Sequence, residues 1–109
     1  MAVVAITPET IADEVLDVEG TSLVLFHMSR CPYCKAFRPL FESRDGAIPY
    51  RLGQAVIDED EHPFWTRFGI EVVPTVIAFR GGEVIGRRDA QAHVGLTEAD
   101  LLTLLDEVG

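Results

Sequence analysis

The stretch Ser22-Leu23-Val24-Leu25-Phe26-His27-Met28-Ser29-Arg30-Cys31-Pro32-Tyr33-Cys34-Lys35 decides the reading of the chain. Ser22 to Met28 is a nearly continuous apolar run, as expected of a central strand covered on both faces. Cys31-Pro32 then opens a helix, with Pro32 at the first helical position, where a missing N–H leaves no bond unmade. Phe37, Leu40 and Phe41 give that helix an apolar face, and Pro39 lies inside it. Two cysteines spaced C-x-x-C at a helix start have a specific chemical use. The free N–H groups and the positive end of the helix dipole favour a thiolate on a cysteine placed there. The second cysteine falls on the same helix face, at a separation that suits a disulfide. Cys31 is therefore expected to attack a substrate disulfide, and Cys34 to resolve the mixed disulfide. Arg30 adds positive charge beside the first sulfur. Two other readings compete: a pair of buried structural cysteines, and a metal site that His27 joins. The metal site is short of ligands, because a tetrahedral zinc site wants four and the chain has only these two cysteines. No metal and no organic cofactor are expected.

Working outward, helical and strand signals alternate, which implies an α/β fold. Toward the N-terminus, Val3 to Ile6 reads as a short strand. Thr7-Pro8 opens a helix with Ile11, Val15 and Val18 at helical spacing, and Gly20 ends it. Toward the C-terminus, Gly46 closes the cysteine helix, Gln54 to Ile57 is a strand, and a brief helix from Pro63 ends near Phe68-Gly69. Thr75 to Phe79 and Glu83 to Ile85 are strands joined by Gly81-Gly82, a turn suited to an antiparallel hairpin. Thr97-Glu98-Ala99-Asp100 resembles a capping box with Asp in place of Glu, and Leu101, Leu104, Leu105 and Val108 line one face of the helix that follows. The expected order is βαβαβαββα.

With 109 residues, 48% of them hydrophobic and 25% charged, the chain is long enough for one folded unit over 1–109, with a core of its own. The net charge of −9 argues against nucleic acid as a partner and against a polybasic membrane anchor. The charge is uneven. Arg30, Lys35, Arg38, Arg44 and Arg51 against Glu42 and Asp45 give positions 30–51 a net of +3, so the rest of the chain carries −12. Apolar runs such as Leu23 to Phe26 are far short of the ~20 residues a membrane span needs. The first residues lack a basic, signal-like start, so a cytoplasmic location is expected, although a mature exported domain would carry the same residues.

These residues together resemble the thioredoxin superfamily, and the resemblance covers nearly the whole chain. It rests on Leu23-Val24-Leu25-Phe26 before Cys31-Pro32-Tyr33-Cys34-Lys35, on Pro39, and on Phe68-Gly69-Ile70 with Val73-Pro74-Thr75. Gly82-Glu83-Val84 and Val94-Gly95-Leu96 complete it. The resemblance implies a thioredoxin fold, with a central mixed sheet flanked by helices on both faces, and thiol–disulfide oxidoreductase activity through Cys31 and Cys34. It implies substrate contact at Arg30, Pro32, Tyr33, Val73, Pro74 and Gly95, and a cis Val73–Pro74 bond beside the cysteines. An extended substrate segment would pair with Val73 as an added strand. The implied partners are disulfide-containing proteins and an electron donor, either a reductase or glutathione, acting on a monomer.

The chain departs from the family's pattern at several points. Typical members read Trp-Cys-Gly-Pro-Cys, whereas the Pro-Tyr pair here looks like glutaredoxins. Leu25 stands where the family carries a buried Asp, and the Lys that accompanies this Asp aligns near Gln54. That removes the family's proton relay and leaves His27 as a candidate for proton transfer. The segment between Gly82 and Gly95, with Arg87, Arg88, Asp89 and His93, is longer than usual and is expected as a loop bordering the cysteines. Two alternatives stand beside the first reading: a glutathione-dependent, glutaredoxin-like enzyme, and a thioredoxin-fold binding or assembly module without redox turnover.

Overall fold

The computed structural model describes residues 3–109. Strand β1 (Val4–Ala5) is followed by a wide helical turn at Ala12–Leu16, then β2 (Thr21–His27), α1 (Pro32–Glu42), β3 (Arg51–Val56) and α2 (Pro63–Arg67). Strands β4 (Thr75–Arg80) and β5 (Glu83–Asp89) and helix α3 (Glu98–Val108) complete the chain. The five strands form one mixed sheet in the order β1-β3-β2-β4-β5. β1, β3 and β2 run parallel, whereas β4 and β5 are antiparallel to their neighbours.

The two-sided cover expected of β2 is present, with every residue from Ser22 to His27 buried. Side-chain alternation sends Leu23 and Leu25 to one face, where they meet Phe37 and Phe41 of α1 and Leu101 and Leu104 of α3. Val24 and Phe26 go to the other, against Ile11, Val15, Phe64 and Phe79. Phe26 and Phe64 meet edge to face, 5.6 Å between ring centres. The two apolar layers thus fix α1 over one end of the sheet and α2 beneath it.

Local capping chemistry sets the helix starts as the sequence implies. Thr97 Oγ1 accepts from Asp100 N, and Asp100 Oδ2 accepts from Thr97 N, so the capping box closes with Asp at its third position. The Gly81-Gly82 turn has φ of 58° and 87°. A side chain at Gly82 would also lie 2.8 Å from Leu16 O, so the turn is closed to other residues on two counts.

Four expectations differ from the structure. The first helix is only the turn Ala12–Leu16, where Asp17 N donates to Ala12 O, five residues back, so the helix widens and stops instead of running on to Gly20. Helix α1 ends at Glu42, and Gly46 sits beyond it in a turn with φ 80°. Strand β3 starts at Arg51, because Leu52 is already in the core and pairs with Leu23. The largest difference is β5. Arg87, Arg88 and Asp89 are strand, not loop, and pair with Ile77, Val76 and Thr75 across a bulge at Ala78/Phe79. Their charges are accommodated along the strand: Arg87 bonds Asp89 and donates to Phe68 O, and Arg88 pairs with Glu107.

Leu25 is fully buried beneath α1, among apolar side chains. Leu25→Asp places a carboxylate there without a partner and is expected to lower stability by about 3–5 kcal/mol. Urea denaturation of both proteins measures this, and an unchanged midpoint would contradict the placement of Leu25.

Candidate active site

The site lies where β2 ends and α1 begins. Cys31 is the N-cap of α1, in extended conformation, and its Sγ accepts a hydrogen bond from Cys34 N at 3.4 Å. Sulfur therefore takes the place that a hydroxyl usually occupies at a helix start. Cys31 is partly exposed and Cys34 fully buried, and both are free thiols. Cys31 Sγ also lies 3.9 Å from Val73 O, as a donor, and the Val73–Pro74 peptide is cis, in line with what the resemblance implies.

The remaining expected residues divide by exposure. Arg30, Pro32 and Tyr33 are exposed around Cys31, Val73 is half-buried, and Pro74 and Gly95 are buried. Pro74 and Gly95 thus shape the site from beneath. Gly95, with φ 85°, lies under the Tyr33 ring, and a side chain added there would meet Tyr33 Cβ at 3.0 Å. Gly95 N also donates to Gln91 O, closing a tight loop whose His93 has φ 65° and whose Val94 is exposed beside it. The part of the long segment that does approach the cysteines is therefore this loop, through Tyr33. Arg30 and Lys35 are exposed and in no ion pair among the described residues, whereas Arg38 pairs with Glu42 at 3.5 Å.

Sequence reasoning missed a clasp next to the cysteines. Asp58 accepts from Ser29 N at 2.7 Å and from Ser29 Oγ at 2.6 Å. It ties the two residues before Cys31 to the loop after β3. The signal is legible only once β2 and β3 are paired in register: His27 lies opposite Val56, so both strands end together and Ser29 meets Asp58 just beyond. Met28, Arg30 and Asp58 line a cavity of about 300 Å³ beside this clasp. The hydrogen bonds from Ser29, side chain first and backbone second, hold Asp58 below the usual carboxylate range.

Burial dominates the deeper part of the site. It pushes the Cys34 thiol up to about 12, and the neighbouring Cys31 adds to the rise. His27 is only 3% exposed, and among the described residues neither ring nitrogen has a partner at full hydrogen-bond geometry. Its pKa is lowered by burial and next by the Arg38 guanidinium, while the Met28 main chain, Asp58 and Glu42 pull the other way. Gln54, opposite Leu25 on β3, donates to Glu42 Oε2 at 2.7 Å and so turns toward the far end of α1. Among the described residues no group of three or more His, Cys, Asp or Glu side chains is placed to hold a metal ion.

Comparison with known proteins agrees with this geometry. A family profile described as Thioredoxin matches residues 2–106. The chain is 30% identical to thioredoxin of Allochromatium vinosum over 106 residues, which is 96% of this chain and 95% of that protein. It is 32% identical over 90 residues to protein disulfide isomerase-like 2-1 of Oryza sativa subsp. japonica, covering 78% of this chain. Mitochondrial thioredoxin of Mus musculus is 29% identical over 91 residues, 83% of this chain. The chain spans 24% of the length of the rice protein and 52% of the mouse one. Thioredoxin f of spinach chloroplast, in its long form, superposes with a TM-score of 0.82 over 99% of this chain and 88% of that chain, at 18% identity.

Two outcomes are expected. With the reduced protein near neutral pH, alkylation followed by peptide mapping labels Cys31 well before Cys34, since only Cys31 is accessible and burial holds the Cys34 proton; equal labelling contradicts the assignment. The Asp58 clasp is expected to be pH-linked. Because the folded-state pKa lies below the unfolded value, its contribution is complete above about pH 4 and is lost as pH falls through the folded value. Denaturation midpoints of Asp58→Asn should therefore be lower than wild type at neutral pH and converge with it on acidification. Parallel pH curves would show that the clasp contributes nothing.

Proposed function

The chain belongs to the thioredoxin family, and from that premise we propose that it is a thiol–disulfide oxidoreductase whose dithiol reduces disulfides in protein substrates. One observation carries this reading. The Sγ of Cys31, partly exposed at the start of α1, lies within 3.4 Å of the main-chain N–H of Cys34, the second thiol of the pair. In the proposed reaction Cys31 sulfur attacks one sulfur of the substrate disulfide, and the other leaves with its electron pair. Cys34 then attacks Cys31, forming the Cys31–Cys34 disulfide and releasing the second substrate thiol. A reductase restores the dithiol. An extended substrate segment aligned on Val73 would bring its disulfide to Cys31, with Arg30, Pro32 and Tyr33 as the exposed rim and Pro74 and Gly95 supporting them from below.

A second reading is glutathione-dependent turnover. The Pro32-Tyr33 pair and the exposed cations Arg30 and Lys35 favour it, because glutathione is anionic.

Insulin reduction with dithiothreitol, with a thioredoxin reductase system and with glutathione separates these possibilities. Turnover with the reductase system, abolished in Cys31→Ser, is expected. Turnover with glutathione alone moves the assignment to the second reading. No turnover with any donor indicates a binding module. Under the proposed reaction Cys34→Ser accumulates mixed disulfides with substrate, whereas Cys31→Ser forms none.

A further inference from the structure

Two cations bracket Cys31 along the chain. Arg30 directly precedes it. Lys35 follows one helical turn later, where its main-chain N–H donates to Cys31 O at 3.0 Å, so it stands on the same side of α1 as Cys31. Both are exposed, and neither is in an ion pair among the described residues. Arg38 continues the row and is tied to Glu42.

The main chain that carries Arg30 is fixed on both sides. Before it, Ser29 is held to Asp58 through its N–H at 2.7 Å and its hydroxyl at 2.6 Å. After it, Cys31 caps α1, and Cys31 N donates to Met28 O at 3.4 Å, closing a turn around Arg30. A contact made by Arg30 therefore costs little ordering of the backbone. Arg30 also lines the cavity of about 300 Å³ with Met28 and Asp58. Each carboxylate oxygen of Asp58 already accepts from Ser29, so the group with donors to offer in that cavity is the guanidinium. Its planar fork of N–H groups matches a carboxylate. The wider charge adds to this. Positions 30–51 carry +3 and the rest of the chain −12, so an acidic partner is repelled by most of the surface and attracted at this corner.

We propose that Arg30 is a specificity-determining residue, which selects disulfides whose cysteine has an acidic side chain one or two positions away. This rests on the oxidoreductase reading above and names its substrate class. Arg30 and Cys31 are consecutive, and an extended segment advances ~3.3 Å per residue. A segment that brings its cysteine to Cys31 thus brings the neighbours of that cysteine within reach of the guanidinium. The chemistry is the exchange already described, with no added reactant; Arg30 holds the substrate carboxylate while the Cys31 sulfur attacks. The acidic run Asp58-Glu59-Asp60-Glu61 acts in the opposite sense and favours a basic neighbour. Arg30 prevails at contact range because it adjoins the nucleophile, whereas Asp58 is engaged by Ser29 and the other three lie further along the loop.

The test uses the reduced protein and three symmetric peptide disulfides that are identical except for Glu, Gln or Lys on both sides of the cysteine. The second-order rate constant of each is divided by that of the same peptide with dithiothreitol, which removes differences in intrinsic disulfide reactivity. The Glu peptide is expected to react about fivefold faster than the Gln peptide, the range of an exposed charge pair, and the Lys peptide slower than both. The Glu/Gln ratio should fall toward one at high salt. In Arg30→Gln it should be about one, and Arg30→Ala repeats the measurement with a second neutral side chain. A wild-type ratio below about two, or a ratio unchanged in these variants, overturns the proposal. So does a Lys peptide that reacts fastest, which assigns selection to the acidic run. Equal Glu and Gln rates beside a much faster reaction of glutathione disulfide also overturn it and move the assignment to the second reading. If no disulfide is attacked at all, the oxidoreductase reading fails and takes this proposal with it. Attack without charge preference overturns this proposal alone.

Discussion

The burial of β2 on both faces is the constraint on which the rest of the structure depends. Six consecutive residues of this strand, Ser22 to His27, are out of water, so it must sit mid-sheet with helices above and below. Leu23 and Leu25 hold α1 through Phe37 and Phe41, which sets the start of that helix at the carboxyl end of the strand. The same strand aligns β4 antiparallel beside it, with Phe26 opposite Thr75, and this brings Val73 and Pro74 to the point where α1 begins. The contact between Cys31 Sγ and Val73 O joins residues far apart in the chain, and it follows from those two packing relationships.

Within the site, solvent access distinguishes two chemically identical thiols. Cys31 stands at the helix end, partly exposed, with its sulfur capping the first turn. Cys34, less than one turn on, faces the core and is excluded from water, which makes its proton hard to remove. The proposed reaction needs a nucleophile that is reachable and a resolving thiol that is protected until a mixed disulfide lies beside it. The difference arises from which way each residue faces on one helix. The Ser29–Asp58 clasp keeps the preceding loop in place, so Arg30 is held at the rim with its charge exposed.

The comparison with the spinach protein separates fold from site. At 18% identity the backbones still superpose at a TM-score of 0.82. Many side-chain sets can fill two apolar layers around a mixed sheet, provided volume and alternation are kept. The residues that flank the cysteines here are not needed for that packing. Arg30 and Tyr33 lie on the surface and are free to differ without cost to the core. Leu25 shows the converse: an apolar residue in the central strand adds to the same layer as Phe37 and Phe41, and the chain then carries its one buried imidazole two positions further along.

The order of elements, the apolar central strand, the cysteines at a helix start, the capping box at Thr97 and the glycine turn at Gly81-Gly82 were legible in the sequence. Each depends on neighbours within a few positions or on a repeating apolar pattern. The fates of Arg87, Arg88 and Asp89 were not, because a run of charge reads as loop until a bulge in the pairing with β4 lets those residues continue the strand. The same limit applies to the clasp of Ser29 on Asp58, the seat of Tyr33 on Gly95 and the buried ring of His27. A histidine at a strand end looks alike in sequence whether it is hydrogen-bonded, exposed or sealed in. Only the tertiary structure decides which, because strand register and helix packing bring together groups whose separation along the chain carries no local signal.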